Sequence, residues 1–174
     1  INKIVNSRIP VNTINMNGFG EPFLDAKLCD RIAYVKKKAP HIRIFLFSNG
    51  ALLLPRIADK LLESGLDGMN ISFNGSEKEY NSTMIHLDYH KTRSNIVYFL
   101  GERKRRNLKK PVINLSCTYN DPAFDKEGYY NEFKDLVDGV FIQSANKWGD
   151  NREVDKAIYD FKTQVMKNYP CRRL

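Results

Sequence analysis

The chain reads as an α/β protein built on a parallel sheet, and three observations predict that class. Short, β-rich apolar runs alternate with segments of helical period at intervals of roughly 25–35 residues, the spacing of strand–crossover–strand units. The run Ile42 to Phe47 is almost unbroken in apolar character, as expected of a strand covered on both faces. Each predicted strand also ends in a polar or glycine-bearing segment: NGFGEP, SNG, NGS, YND and SANKWGD in turn. Open parallel sheets and barrels both bind ligands at the carboxyl ends of their strands. One edge of the sheet is thereby marked as chemical and the other as structural.

The elements follow from the N-terminus. Ile1 to Pro10 is polar and mixed, and reads as the end of a helix and a short connection. The first strand is Thr13 to Asn17. Leu28, Ile32, Ala33 and Val35 recur at helical spacing between Ala26 and Lys38, and Pro40 closes that helix. Ile42 to Phe47 is the second strand. Ile57, Leu61 and Leu62 share one face of a helix over Leu54 to Ser64, which Gly65 stops. Gly68 to Phe73 is the third strand, and Ser76 with Glu79 has capping-box spacing for a short helix. A long helix from His90 to Arg106 buries Ile96, Val97, Phe99 and Leu100. Val112 to Thr118 and Val140 to Gln143 are the fourth and fifth strands, with helices over Gly128 to Leu136 and Arg152 to Lys167. Periodicity alone leaves an open doubly wound sheet and a barrel or partial barrel both standing.

At 174 residues the chain is long enough for one domain with a real core. No apolar run approaches the roughly 18 residues of a membrane span, and the expected location is cytoplasmic. The opening INKIVNSRIP has no initiator methionine and no secretory signal, which suggests a piece of a longer protein. Three scattered cysteines, Cys29, Cys117 and Cys171, form neither a disulfide framework nor a metal-binding spacing. Cys117, inside a strand, is expected to be a buried thiol. The net charge of +8 gathers in Lys36-Lys37-Lys38, Arg103 to Lys110 and Arg172-Arg173. The first two runs sit at predicted helix ends, where cations complement the helix dipole. His41, His86 and His90 share no convincing ligand spacing, and Tyr80, Tyr89 and Tyr98 read as packing residues. Trp148 could line a pocket or cover the rim.

NGFGEP matches neither the dinucleotide fingerprint nor the P-loop, because no third glycine and no Lys-Ser/Thr follow. A carboxylate placed at a glycine turn would repel phosphate and attract an ammonium group. Gly18 and Gly20 admit positive φ and a close backbone approach, and Pro22 suits a helix start. The plain alternative is a turn in which Glu21 caps the following helix.

GFGEP, with SNG at the next strand end and DGMNISFNG at the third, resembles the core of a radical S-adenosylmethionine (SAM) enzyme. The resemblance covers nearly the whole chain. It implies a partial (β/α)₆ TIM-like barrel, of which about five β/α units are present here. It implies S-adenosylmethionine and a [4Fe–4S] cluster as cofactors. Reductive cleavage of SAM would give a 5′-deoxyadenosyl radical that abstracts a substrate hydrogen. By the same resemblance Gly18, Gly20, Glu21 and Pro22 hold the amino group of the methionine part. Ser48, Asn49, Ser72 and Asn74 contact its carboxylate or ribose, with Asn120 and Gln143 as weaker candidates. Implied partners are a small-molecule, sugar or peptide substrate and a reductant such as flavodoxin or ferredoxin, with neither membrane nor nucleic acid.

The sequence departs from the family pattern in two places. The Cys-x-x-x-Cys-x-x-Cys loop that ligates the cluster is absent, so the resemblance covers strands two to six and the chain by itself should not catalyse. Asn74 stands where many relatives carry aspartate. KWGD followed by a helix and PCRRL resembles entry into a SPASM or twitch extension; residues 1–170 would then be the partial barrel and 171–174 the start of that extension, with Cys171 an auxiliary-cluster ligand. A barrel missing its first strand exposes an edge at Thr13 to Asn17, so the chain alone is expected to associate. Two other readings stand beside this one: a cluster-free barrel that binds SAM or a nucleotide, and a basic module for nucleic acid or an acidic partner.

Overall fold

The computed structural model describes residue 4, residues 10–16 and residues 20–145. The predicted last helix, Trp148, Gly18 and Cys171 lie outside the described residues. Within them the order is β1 (Thr13–Met16), a single 3₁₀ turn (Pro22–Leu24), α1 (Leu28–Lys38), β2 (Arg43–Ser48), α2 (Pro55–Glu63), β3 (Gly68–Ser72), α3 (Glu77–Thr83), α4 (Tyr89–Arg105), β4 (Val112–Tyr119), α5 (Lys126–Phe133) and β5 (Gly139–Ser144). Every predicted element in this span is present, with ends shifted by up to three residues. Pro22 opens the 3₁₀ turn, and the long helix begins only at Leu28.

The five strands form one parallel sheet in the order β1-β2-β3-β4-β5. That order decides between the two architectures. A doubly wound sheet reverses direction at a switch point, whereas here each right-handed crossover advances the same way and so lays its helix on the same face. The sheet is of the (β/α) barrel type, with β1 and β5 unjoined among the described residues. Ile44 and Leu46 of β2, Met69 and Ile71 of β3, and Ile113 and Leu115 of β4 all point to the helix side. There they share one core with Ile32, Val35, Leu61, Ile96 and Phe99. Each such side chain contributes roughly 1.5–3 kcal/mol by leaving water.

The expectation that β2 is covered on both faces fails. Phe45 is only half-buried and Phe47 is 48% exposed. The apolar run misled because both faces of β2 carry apolar residues while the helices cover one of them.

At the amino ends of the strands two carboxylates tie the sheet together. Asp67, 5% exposed, accepts the Ile44 N–H at 2.9 Å, Lys36 Nζ at 2.8 Å and Lys110 Nζ at 2.7 Å. Burial opposes its ionisation, but the bonds from Lys110, Lys36 and Ile44 win and hold its carboxyl below the usual aspartate range. Asp138 accepts the Ile113 N–H at 2.6 Å, and Arg103 Nη2 donates to both of its carboxylate oxygens, at 3.0 and 2.7 Å. Arg105 and Arg106 both bond Glu102, whose pKa falls to about 2, with Arg105 the larger influence. Arg106 also pairs with Asp59 and Glu63. Much of the basic run from Arg103 to Lys110 is thus spent on internal ion pairs, leaving less of it for an acidic partner or nucleic acid.

Candidate functional site

The polar strand ends assemble into two groups at the carboxyl edge of the sheet. In the first, Glu21 is the organising residue. Its Oε1 accepts the Phe23 N–H at 3.2 Å, which caps the 3₁₀ turn, and also the Ser48 hydroxyl at 2.8 Å. Its Oε2 accepts the Asn49 N–H at 2.9 Å. Ser48, buried, in turn accepts the Gly50 N–H, and Asn49 Oδ1 accepts the Ala51 N–H, each at 2.9 Å. One carboxylate therefore staples the GEP turn after β1 to the SNG turn after β2. The capping alternative and the functional reading coexist in this residue. An ionised carboxylate offers about four lone-pair sites, so the three bonds leave acceptor capacity on Oε2. All three donors are neutral, and Glu21 takes part in none of the ion pairs among the described residues. Gly20 has φ +106°, and among the described residues nothing lies within 4 Å of where a Cβ would stand.

The second group lies over β3 and β4. Asn74 Oδ1 accepts the Thr118 N–H at 2.9 Å, and the Ser72 and Ser116 hydroxyls share a bond of 3.3 Å. Asn70 Nδ2 donates to Ser116 Oγ at 2.9 Å. Of the predicted site residues, Glu21, Ser48 and Asn49 are in mutual contact, whereas Ser72 and Asn74 engage β4. Gln143 Nε2 reaches Thr118 Oγ1 at 3.4 Å.

Glu79 was visible in the sequence only as the fourth position of a capping box. Ser76 Oγ does accept the Glu79 N–H, at 3.4 Å. The Glu79 carboxylate goes elsewhere: Oε1 takes the Asn120 N–H, and Oε2 is buried against Gly75 without a hydrogen-bond partner. It ties α3 to the turn after β4, as Glu21 ties the first two turns. No sequence signal pointed to this, because the spacing of 41 residues is set by strand register. Cys117 is buried as expected; its Sγ accepts the Gly75 N–H at 3.3 Å, and desolvation pushes its pKa up to about 11. Such a thiol is inert at neutral pH. Tyr80 and Tyr89 pack around Phe73, and the Tyr129 hydroxyl donates to the Phe73 carbonyl at 2.8 Å. His90 lies 3.0 Å from the Glu77 carboxylate.

No family model matches the chain. A search of solved structures finds native anSMEcpe with bound AdoMet at a TM-score of 0.60 and 16% identity, covering 95% of this chain and 50% of that one. The histidine-tagged form of the same protein gives 0.61 and 17%, covering 95% and 48%. These neighbours are radical SAM partial-barrel enzymes. The chain shares the fold of these neighbours, a parallel α/β sheet of the partial-barrel type. Among curated sequences, a probable GTP 3′,8-cyclase of Methanococcus maripaludis is 37% identical over 76 residues, 42% of this chain and 25% of that protein. The chain therefore matches a quarter of that relative's length and covers about half of the anSMEcpe chain. No helix among the described residues is long and apolar enough to cross a membrane.

Proposed function

We propose that this chain is the S-adenosylmethionine-binding core of a radical SAM enzyme, with Glu21 receiving the amino group of the methionine part. The observation that carries this reading is the Glu21 carboxylate, anchored by three neutral donors and in no ion pair among the described residues, beside Gly20 at positive φ. A cation placed there completes the charge without breaking the staple. Ser48 and Asn49 hold Glu21 in place, and the Asn49 Nδ2 of the same turn is the donor assigned to the ligand's carboxylate. Ser72 and Asn74, at the carboxyl end of β3, are the residues assigned to the ribose hydroxyls. When bound at a reduced cluster, S-adenosylmethionine supplies a carbon radical that takes hydrogen from a substrate.

The described cysteines do not fit a [4Fe–4S] cluster. Cys117 faces the core and Cys29 lies on α1, so no step is assigned to cluster ligands here. We place the cluster in the longer protein, together with a SPASM or twitch extension after residue 170, a reductant of the flavodoxin or ferredoxin kind, and a cytoplasmic setting. AdoMet is bound in the anSMEcpe structures, one of which also holds the Kp18Cys peptide (TM-score 0.59, 18% identity), in keeping with a peptide, sugar or small-molecule substrate.

The test is anaerobic reconstitution of the full-length native protein, with iron and sulfide analysis and electron paramagnetic resonance with and without S-adenosylmethionine. Iron matching at least one [4Fe–4S] cluster, and a spectrum that shifts with S-adenosylmethionine, is the expected result. A protein that takes up no iron would overturn the radical chemistry and leave a cluster-free binding barrel.

A further inference from the structure

Among the described residues, the sheet face opposite the helices is poor in charge. Strand register places Asn15, Phe45 and Phe47, then Asn70 and Ser72, then Asn114, Ser116 and Thr118, and finally Phe141 and Gln143 on that face. Arg43, at the amino end of β2, is the one ionisable side chain there among the described strands. Elsewhere the surface is rich in charge: 28% of the chain is Asp, Glu, Lys or Arg. A face of amides, hydroxyls and aromatic rings is not what random solvent exposure produces in so basic a chain.

Two glycines make room on this face. Gly68 pairs with Phe45, and a Cβ on it would stand 2.7 Å from the Phe45 ring. Gly139 pairs with Asn114, and a Cβ on it would stand 2.9 Å from Asn114 Oδ1. In each pair the missing side chain lets the neighbour lie flat across the next strand. The result is a shallow cavity of about 190 Å³ lined chiefly by Asn15, Phe45, Phe47, Asn70, Val112 and Asn114. That is below the roughly 300–1,000 Å³ of sites that enclose drug-sized ligands, and it suits a single ring.

We infer that this face binds an uncharged sugar ring, with no phosphate and no carboxylate on the part that sits here. Carboxamides present a donor and an acceptor side by side, which matches vicinal hydroxyls. Exposed aromatic carbon at Phe47 and the flat ring of Phe45 offer apolar surface to the C–H face of the sugar. In the cavity itself a phosphate or carboxylate would be desolvated against Asn, Phe and Val side chains, with no cation among the described lining residues; Arg43 lies one step toward the amino end of the face. A triphosphate substrate such as the name of the sequence relative suggests finds no partner for its charge in this cavity. This assignment rests on the radical SAM reading only for what becomes of the ligand, since binding itself needs only these side chains.

The test uses the ¹⁵N-labelled 174-residue chain and the side-chain amide resonances of Asn70 and Asn114. The probes are methyl glucoside, methyl galactoside and myo-inositol, against glucose 6-phosphate, glucuronate and a neutral tetrapeptide, each up to about 100 mM, where even weak binding registers. At least one neutral sugar or cyclitol is expected to shift both resonances, with the phosphorylated and acidic counterparts at least fivefold weaker. Asn114→Leu, its fold confirmed by an otherwise unchanged spectrum, is expected to lose the response at Asn70. Equal or stronger shifts with the charged compounds, a response to the peptide alone, silence from all three neutral compounds, or an unchanged response in the leucine variant would each overturn the assignment. S-adenosylmethionine added to the same sample reads the other site through the backbone amides of Ser48 to Gly50. A sugar response without one there leaves the sugar assignment standing, while the radical SAM reading is decided separately by reconstitution of the full-length protein.

Discussion

The two ends of the sheet use the same device and complete it in opposite ways. At the amino ends, Asp67 and Asp138 each accept a backbone N–H from a neighbouring strand and are paired with lysine or arginine. At the carboxyl ends, Glu21 and Glu79 each accept a backbone N–H from a neighbouring turn, but neither joins an ion pair among the described residues. A carboxylate whose charge is already balanced can only hold the fold. One anchored by neutral donors holds the fold with its charge unbalanced, and at Glu21 that is the feature on which the proposed function rests. The difference teaches that the electrostatics of the partners, more than the presence of a buried carboxylate, separates the structural end from the chemical one.

The largest effect should come from breaking the balanced end. Asp67→Ala leaves Lys36 without its carboxylate and the Ile44 N–H unpaired, and is expected to cost about 3 kcal/mol or more in urea unfolding. A loss under about 1 kcal/mol would erase the distinction drawn between the two ends. The same residue gives the comparison a pH signature. Because the folded carboxyl titrates below its unfolded value, its contribution is fully present above the ordinary aspartate range near pH ~4 and is lost as pH falls through the lower, folded value. Asp67→Asn should therefore unfold with a flatter acid limb than the unmodified chain, and parallel limbs would contradict this.

Next in size is Gly75→Ala. At φ +64°, with a Cβ that would stand 2.5 Å from Glu79 Oε2, alanine strains the turn and pushes the carboxylate off Asn120. The expected loss is about 1–2 kcal/mol, with the Asn120 amide resonance moving most. A neutral substitution would show that Glu79 does not hold that turn. Smallest in stability is Glu21→Gln, which keeps the shape and part of the bonding and should cost only about 1 kcal/mol. It should nonetheless weaken S-adenosylmethionine binding about tenfold, since a charge-assisted bond contributes roughly 1.5–3 kcal/mol. Equal binding by calorimetry would remove Glu21 from the ligand and leave it a cap.

The sequence was most informative where structure is local. Alternating period, Gly65, Ser76 and the polar strand ends placed each described strand and helix, because each such signal acts within a few residues of itself. It was misleading at Phe45 and Phe47, where apolar side chains face the open side of the sheet. It was silent on the role of Asp67, which collects donors from α1, β2 and the approach to β4.

Within the candidate site, the sequence alone determined which residues stand at the strand ends and that Glu21 follows a glycine turn. Only the tertiary structure decided that Glu21 grips Ser48 and Asn49, that Glu79 reaches Asn120, and that Asn70 and Asn114 share an uncharged face with Phe45. The reason is register. Parallel strands bring together residues 27 to 46 positions apart, and the sequence does not write those separations as a motif. Which carboxylate meets a cation and which is left with neutral donors is settled only when the strands are side by side.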